Sequence, residues 1–279
     1  MNLSEMKHIL AERGIQLTKS LGQSFLHDGN QLRRIVAAAD LSRKDRVLEI
    51  GPGLGPLTEL LVAQAGEILA IEKDRRLIAI LQERQVAGRN LTLVHDDALE
   101  CLRRENRDWS GWKLVANLPY SVASTILVEF AQAHEGPQRM VATLQLEVVR
   151  RLIARPNSKD YGVLTLLVQV NYEPQAWFKI PASCFFPEPE VDSACVSLLR
   201  RPQPLLSLEM RPAFAAIVKR AFSQRRKMMF KVLKADWDTN ALEQAFASTG
   251  LPPRVRAETV NLEQFVRLTR SLGANSGNG

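Results

Sequence analysis

The segment Val47-Leu48-Glu49-Ile50-Gly51-Pro52-Gly53-Leu54-Gly55 runs an apolar, β-type stretch into a glycine-rich turn and then a helical pattern. Glycine tolerates positive φ and has no Cβ, so such a turn lets the backbone approach a ligand at a strand end, where open α/β sheets bind theirs. The spacing is G-x-G-x-G, not the G-x-G-x-x-G of dinucleotide-binding folds, and a tight structural βα turn gives the same pattern. Glu72 ends the next β-type run, 21 residues after Gly51, where a carboxylate can accept hydrogen bonds from both hydroxyls of a ribose. Asp97 follows a third run on the same expected edge. Three consecutive strands ending in Gly, Glu and Asp suit a nucleoside ligand that lacks a pyrophosphate.

The fourth run ends in Asn117-Leu118-Pro119-Tyr120. An exocyclic amine on a purine is a poor nucleophile because its lone pair is delocalised into the ring. A site that accepts its N–H groups on the Asn117 side-chain oxygen and the Leu118 carbonyl, with Tyr120 stacked on the base, raises that reactivity and fixes the plane of attack. By itself the tetrapeptide is equally an ordinary Asn-x-Pro turn with a surface tyrosine. Elsewhere the chain offers no paired carboxylates and no Ser/His/Asp arrangement in a sensible context. That suits displacement at a sulfonium carbon, where the leaving group is already activated and the proton departs to water afterwards. His27 and His95 read as structural. Trp109, Trp112, Trp177 and Trp237 read as packing residues rather than a base-stacking platform.

These residues need strands to carry them, and β-type runs occur at 46–50, 67–72, 91–95, 112–116 and 138–146, separated by helical patterns near 56–65, 74–83 and 122–133. Such alternation predicts an α/β fold with a parallel sheet covered on both faces. Runs at 176–180 and 192–199 add strands at the end of that sheet, and the largely apolar stretch 161–172 fits helix or strand, with helix preferred. Arg201-Pro202-Gln203-Pro204 breaks the pattern, giving a catalytic domain over 1–201 and a helical one over 202–279. Beyond the break, Phe214, Ile217, Val218, Ala221, Phe222, Met229 and Val232 share one helical face, with Arg220, Lys227, Lys231 and Lys234 opposite. Arg225 would fall on the apolar side of a continuous helix, which predicts a break near Ser223-Gln224. Residues 240–248 and 261–272 supply further helices, and 273–279 reads as a frayed tail.

Composition narrows the function classes. With 279 residues, 46% hydrophobic and 24% charged, and only 15 Gly and 14 Pro, disordered and collagen-like chains are excluded. No run approaches the roughly 18 apolar residues of a membrane span, and Met1-Asn2-Leu3-Ser4-Glu5-Met6-Lys7 lacks a basic segment followed by an apolar one. Cys101, Cys184 and Cys195 are odd in number and never spaced C-x-x-C, and the four histidines form no H-x-x-x-H pair. A cytoplasmic protein with no membrane partner and no metal is expected. The formal net charge is +7, yet the stretch from Arg200 to Lys234 holds ten basic residues against the single acid Glu209. That asymmetry points to a polyanion, nucleic acid ahead of anionic lipid, with a solvated helix face as the alternative.

Taken together, the chain resembles the KsgA family of ribosomal RNA adenine dimethyltransferases. The resemblance runs from Gly22-Gln23-Ser24-Phe25-Leu26 to the helix ending near Leu272. Besides the glycine turn and Asn117-Leu118-Pro119-Tyr120, it takes in Gln145-Leu146-Glu147-Val148-Val149, Pro156-Asn157-Ser158-Lys159-Asp160-Tyr161-Gly162, Phe185-Phe186-Pro187-Glu188-Pro189-Glu190-Val191-Asp192-Ser193 and Phe222-Ser223-Gln224-Arg225-Arg226-Lys227. It implies a class I S-adenosylmethionine-dependent methyltransferase sheet with a small helical carboxy-terminal domain. The implied activity is dimethylation of N6 on two adjacent adenosines near the 3′ end of small-subunit (16S) rRNA, late in assembly of that subunit, by a monomeric enzyme.

Carried over by motif, the resemblance implies that Ser24 and Leu26 line the methionine end of the cofactor pocket. Gly51 and Gly53 follow the cofactor backbone, Glu72 holds the ribose and Asp97 the cofactor adenine. Asn117 touches both cofactor and target amine, Leu118 and Tyr120 complete the amine site, and Phe185 sandwiches the flipped adenine against Tyr120. RNA contact falls to Arg220, Arg225, Arg226, Lys227, Lys231 and Lys234. Ser24 stands where the family usually has Asn, and Leu146 and Glu190 where basic residues are common. Two rivals remain: the large-subunit rRNA adenine methylase of the macrolide-resistance type, and a non-catalytic ribosome-assembly or transcription factor on the same fold.

Overall fold

The computed structural model describes residues 1–17, 24–84, 90–105 and 107–275. Gly22 and Gln23 of the amino-terminal motif lie outside the described residues. In chain order the first elements are α1 (Leu3–Glu12), β1 (Phe25–Leu26), α2 (Gly29–Ala38), β2 (Arg46–Ile50), α3 (Pro56–Gln64), β3 (Glu67–Glu72), α4 (Arg75–Glu83) and β4 (Leu91–His95). Next come α5 (Ala98–Arg104), β5 (Trp112–Asn117), α6 (Ala123–Gln132), β6 (Arg139–Gln145), α7 (Leu146–Leu152), α8 (Val163–Gln169) and β7 (Tyr172–Ile180). The chain continues with β8 (Phe185–Phe186), β9 (Ser193–Arg200), α9 (Arg211–Phe222), α10 (Met229–Leu233), α11 (Thr239–Thr249) and α12 (Leu262–Asn275). Among the described residues no helix is long and apolar enough to cross a membrane.

Seven strands form one sheet in the order β4-β3-β2-β5-β6-β9-β7, and β1 pairs with β8 in a separate two-stranded ladder. β4, β3, β2, β5 and β6 run parallel, and β9 returns antiparallel against β6. This is the sheet expected of a class I methyltransferase. The chain leaves β2 towards β3 and β4, then crosses back to place β5 on the other side of β2. That reversal opens a crevice at the carboxyl ends of β2 and β5, where parallel sheets bind ligands. Alternate residues bury one face: Val47, Ile68, Val115, Val141 and Cys195 pack under Leu32, Ile35 and Val36 of α2 and Leu57 and Leu61 of α3. Leu48, Ile50, Leu114 and Ala116, which point the other way, are buried as well, as a sheet covered on both sides requires.

The strands of the seven-stranded sheet fall near the predicted runs, with β6 stopping short, since Leu146 opens α7 instead of ending the strand, and β1 and β8 have no predicted counterpart. Four helices, α1, α2, α5 and α7, lie where the sequence reading predicts none. α5 and α7 have seven residues each, two turns, too short to show a period. β7 begins at Tyr172, four residues earlier than predicted, and α8 occupies only part of the stretch 161–172.

Two compact units form: Met1–Val149 with Glu173–Arg200, and Arg150–Tyr172 with Arg201–Gly279. The last of the three chain crossings sits beside the expected break at Pro202, but 1–201 is not one continuous unit, because Arg150–Tyr172 folds with the carboxy-terminal helices. Hydrogen bonds explain this. Tyr161 Oη donates to the Val260 carbonyl at 2.8 Å, the Asn157 N–H to the Glu258 carbonyl at 2.9 Å, and Arg225 to the Lys159 and Tyr161 carbonyls at 3.0 Å each. Pro156-Asn157-Ser158-Lys159-Asp160-Tyr161-Gly162 is therefore a structural element of the second unit.

Within that unit, Phe214, Ile217, Val218 and Ala221 of α9 and Met229 and Val232 of α10 are buried, as their period predicts. The predicted interruption is real: α9 ends at Phe222, and a turn precedes α10. Phe222 is half-buried, its ring 6.0 Å from Tyr161 and 6.1 Å from Phe265. The tail is helical further than expected, since α12 reaches Asn275, and 276–279 lie outside the described residues. Phe214 is fully buried. Phe214→Ala is expected to cost about 3 to 5 kcal/mol in urea denaturation, and Phe222→Ala distinctly less.

Candidate functional site

The turn after β2 is built for close approach. Gly51, Gly53 and Gly55 have φ of 69°, 62° and 88°, values that cost a side-chain-bearing residue about 1 to 2 kcal/mol each. At Gly53 a Cβ would also come within 2.6 Å of the Phe25 ring. The turn is held from outside: Arg84, at the end of α4, donates to the Leu54 carbonyl at 2.7 Å and to Glu59 of α3 at 2.8 Å.

Glu72, ending β3, is 7% exposed and braces the turn. Its Oε2 accepts the Gly53 N–H at 3.1 Å and its Oε1 the Asp74 N–H at 2.8 Å. Burial pushes its carboxyl above the usual glutamate range, against the pull of those two N–H groups. Asp97 caps α5, its Oδ1 accepting the Leu99 and Glu100 N–H groups at 2.8 and 3.2 Å. Lys73 reaches its Oδ2 at 2.9 Å and, with those N–H groups, holds Asp97 below the usual carboxylate range. Gly51, Gly53, Glu72 and Asp97 line one cleft of about 250 Å³, together with Ser24, Asn117, Leu118 and Tyr120. The four strand ends picked out in the sequence thus converge.

At the end of β5, Asn117 Nδ2 donates to the Ser24 carbonyl at 3.0 Å, while Oδ1 is buried with no hydrogen-bond partner among the described residues. Ser24 orients Asn117 through its backbone, and its hydroxyl donates to the Pro187 carbonyl at 2.8 Å. Replacing the family's usual Asn by Ser therefore leaves that orientation intact. Tyr120 Oη and Ser193 Oγ share a hydrogen bond of 2.6 Å, which fixes the ring, and burial raises the phenol. The phenol is therefore neutral at pH 7, and Tyr120 lines the cleft.

Two expected residues are placed otherwise. Leu26 and Phe185 are each 2% exposed, belong to the core cluster under α2 and α3, and are not among the cleft's lining residues. Leu26 pairs with Phe185 in the β1–β8 ladder, which turns both side chains inward. Conversely, the cleft includes Lys73, Asp96, Ser121 and Ile126, which the sequence reading did not single out. Asp96 had a signal, standing beside Asp97 at the same strand end; Ser121 and Ile126 had none.

In the second unit the six basic residues divide. Arg225 is committed to the Lys159 and Tyr161 carbonyls, and Arg220 to the Val232 carbonyl at 3.1 Å and Asp236 at 2.9 Å. Arg226, Lys227, Lys231 and Lys234 are exposed. The break before α10 turned Arg225 from the apolar face into a clamp on the 155–162 segment.

Ribose hydroxyls donate to a carboxylate, and protonation removes an acceptor. Because Glu72 titrates above the ordinary range, nucleoside-cofactor affinity is expected to be full at high pH and lost as pH falls through that raised value. Calorimetry should find Glu72→Gln weaker by about 1 to 3 kcal/mol and without this acid transition. Wild-type affinity that stays constant down to the ordinary glutamate range removes Glu72 from the site.

The chain matches the family described as ribosomal RNA adenine dimethylase over residues 14–273. Relatives named ribosomal RNA small subunit methyltransferase A include one from Moorella thermoacetica, 38% identical over 274 residues covering 95% of both chains. Another, from Enterococcus faecalis, is 36% identical over 282 residues covering 98% of this chain and 96% of its own. Among solved structures, the 23S rRNA methyltransferase ErmE is 28% identical, with a TM-score of 0.68 over 89% of this chain and 99% of that one. A dimethyladenosine transferase from Plasmodium falciparum, 22% identical, shares the fold with a TM-score of 0.76 over 90% of this chain and 98% of its own. With its glycine turn, strand-end carboxylates and Asn117-Leu118-Pro119-Tyr120 gathered in one cleft, the chain belongs to the ribosomal RNA adenine dimethylase family.

Proposed function

We propose that this enzyme uses S-adenosylmethionine to dimethylate N6 of two adjacent adenosines near the 3′ end of small-subunit rRNA, on a late assembly intermediate of the subunit. The observation that carries the reading is Asn117, its amide nitrogen tied to Ser24 and its oxygen buried without a donor. An amide oxygen has two lone pairs, and one left unpaired in the interior, at a cost of about 1 to 3 kcal/mol, is explained if its donor arrives with the substrate. The cleft also fits the cofactor: the glycines leave space for its backbone approach, Glu72 offers acceptors to the ribose, and Asp97, ionised at neutral pH, accepts from the adenine amine. When bound, S-adenosylmethionine supplies a methyl group on an already activated sulfonium.

The chain's own residues then act on the nucleophile. Asn117 Oδ1 and the Leu118 carbonyl accept the two N–H bonds of the adenosine amine, drawing its lone pair out of conjugation and aiming it at the methyl carbon. Tyr120, anchored on Ser193, holds the base plane. The proton leaves to water once the nitrogen is alkylated, so no side-chain base is needed. The exposed cations Arg226, Lys227, Lys231 and Lys234 hold RNA phosphates, and the enzyme works as a cytoplasmic monomer.

Labelled-methyl transfer to purified unmodified small subunits, followed by mapping of the methylated positions, tests the assignment. Label on large-subunit rRNA instead would favour the activity named for ErmE. Asn117→Ala is expected to slow single-turnover transfer more than it weakens cofactor binding, since its bond to the amine strengthens in the transition state. A mutant that loses only cofactor affinity and transfers normally when saturated overturns the role given to Asn117. Replacing Arg226 and Lys227 with Gln should flatten the slope of log affinity for RNA against log salt by about 1 to 2 units, leaving cofactor binding intact.

A further inference from the structure

Glu49 is a carboxyl that the chemistry above does not use, placed where a surface residue cannot be. It stands two positions before Gly51 on β2 and is 1% exposed. β2 and β5 pair in parallel with Leu48 opposite Leu114. Continuing that register sets Glu49 and Gly51 beside Val115 and Asn117, and side-chain alternation puts Glu49 and Asn117 on the same sheet face, the one covered by α2 and α3. Both line one small chamber of about 20 Å³, whose other walls are mainly apolar, among them Leu26, Leu32 and Leu57. Glu49 Oε2 and Asn117 Oδ1 are each buried without a hydrogen-bond partner among the described residues. A water needs roughly 10 to 15 Å³ of such space and two to four polar partners, so the chamber has room for one.

We propose that this chamber holds a single water bridging Glu49 to Asn117 Oδ1, which makes Glu49 a positioning residue for the amine-binding carboxamide. The inference rests on the reading that Asn117 accepts the target amine. Asn117 is then pinned at both ends: Nδ2 on the Ser24 carbonyl, and Oδ1 on the water through one lone pair, leaving the other for the substrate. Burial, with Glu72 adding like-charge repulsion and the Thr58 hydroxyl opposing, pushes the Glu49 carboxyl up to about 8. At neutral pH it is a neutral acid, able to donate its own O–H to the water and so strengthen the bond the water gives Asn117. No charge is left unpaired in the core.

The test is a double-mutant cycle on full-length protein, with cofactor affinity and single-turnover transfer at saturating cofactor measured separately. Glu49→Leu is expected to bind cofactor within about twofold of wild type yet transfer about tenfold more slowly, the scale of loss when a reacting group is misplaced by a fraction of an ångström to an ångström. Glu49→Gln, which keeps a polar end with an N–H donor, should recover most of that rate. Glu49→Leu combined with Asn117→Ala should be no slower than Asn117→Ala alone. A folded Glu49→Leu variant that transfers at the wild-type rate overturns the inference, as does a Glu49→Leu effect that persists undiminished in the Asn117→Ala background. Normal transfer by Asn117→Ala itself would instead overturn the role of Asn117, a separate failure. Should Glu49→Leu not fold, a high-resolution crystal structure of the wild type decides: one water within hydrogen-bond distance of both atoms supports the bridge, and Glu49 Oε2 bonded elsewhere refutes it.

Discussion

The bond from the Gly53 N–H to Glu72 is the contact on which the rest of the site depends. It joins the turn after β2 to the end of β3, so the glycine turn at one wall of the cleft is braced by a carboxylate at another. The second oxygen of Glu72 is taken by the Asp74 N–H, at the cap of α4. One side chain thereby sets the glycine turn, the start of α4 and the acceptor geometry of the cleft. A buried carboxylate is costly unless its lone pairs are used, and two backbone N–H groups use them without spending the charge on a cation.

Electrostatics in the cleft follow from what surrounds each acid. Glu72 is raised because burial outweighs its two backbone donors. Asp97 is lowered because Lys73 and the first turn of α5 reach it at a partly exposed position. Asp96, next to it, bonds Arg104 from the same helix and is lowered too. Asp96 and Asp97 thus each have a cation partner. Glu49, buried among mainly apolar walls, is pushed up to about 8.

In the second unit, chain breaks decide which cations are available. Arg225 lies in the turn between α9 and α10, which lets it span to the 155–162 segment and satisfy two carbonyls there. Arg220, on α9, is drawn to Asp236 and the Val232 carbonyl. What remains for a polyanion is a smaller set than composition suggests, centred on Arg226 and Lys227. Arg225 in this way serves the fold, while its neighbour Arg226 stays exposed.

By itself the sequence determined the strands, the break near Ser223-Gln224, the glycine turn and the strand-end residues Glu72, Asp97 and Asn117. These are local properties: side-chain period, the conformational freedom of glycine, and the position of a polar residue after an apolar run. Tertiary structure alone decided three other things. The 150–172 stretch belongs to the second unit because Tyr161, Asn157 and Arg225 find partners 64 to 101 residues away in sequence, at Lys159, Tyr161, Glu258 and Val260, a choice no window of residues reveals. Phe185 faces the core because β8 pairs with β1 in one register, and a register shift of one residue would turn it out. Glu49 and Asn117 line one pocket only because β5 crosses back to lie beside β2, and a crossing order is a long-range packing outcome that leaves no mark on either strand's own sequence.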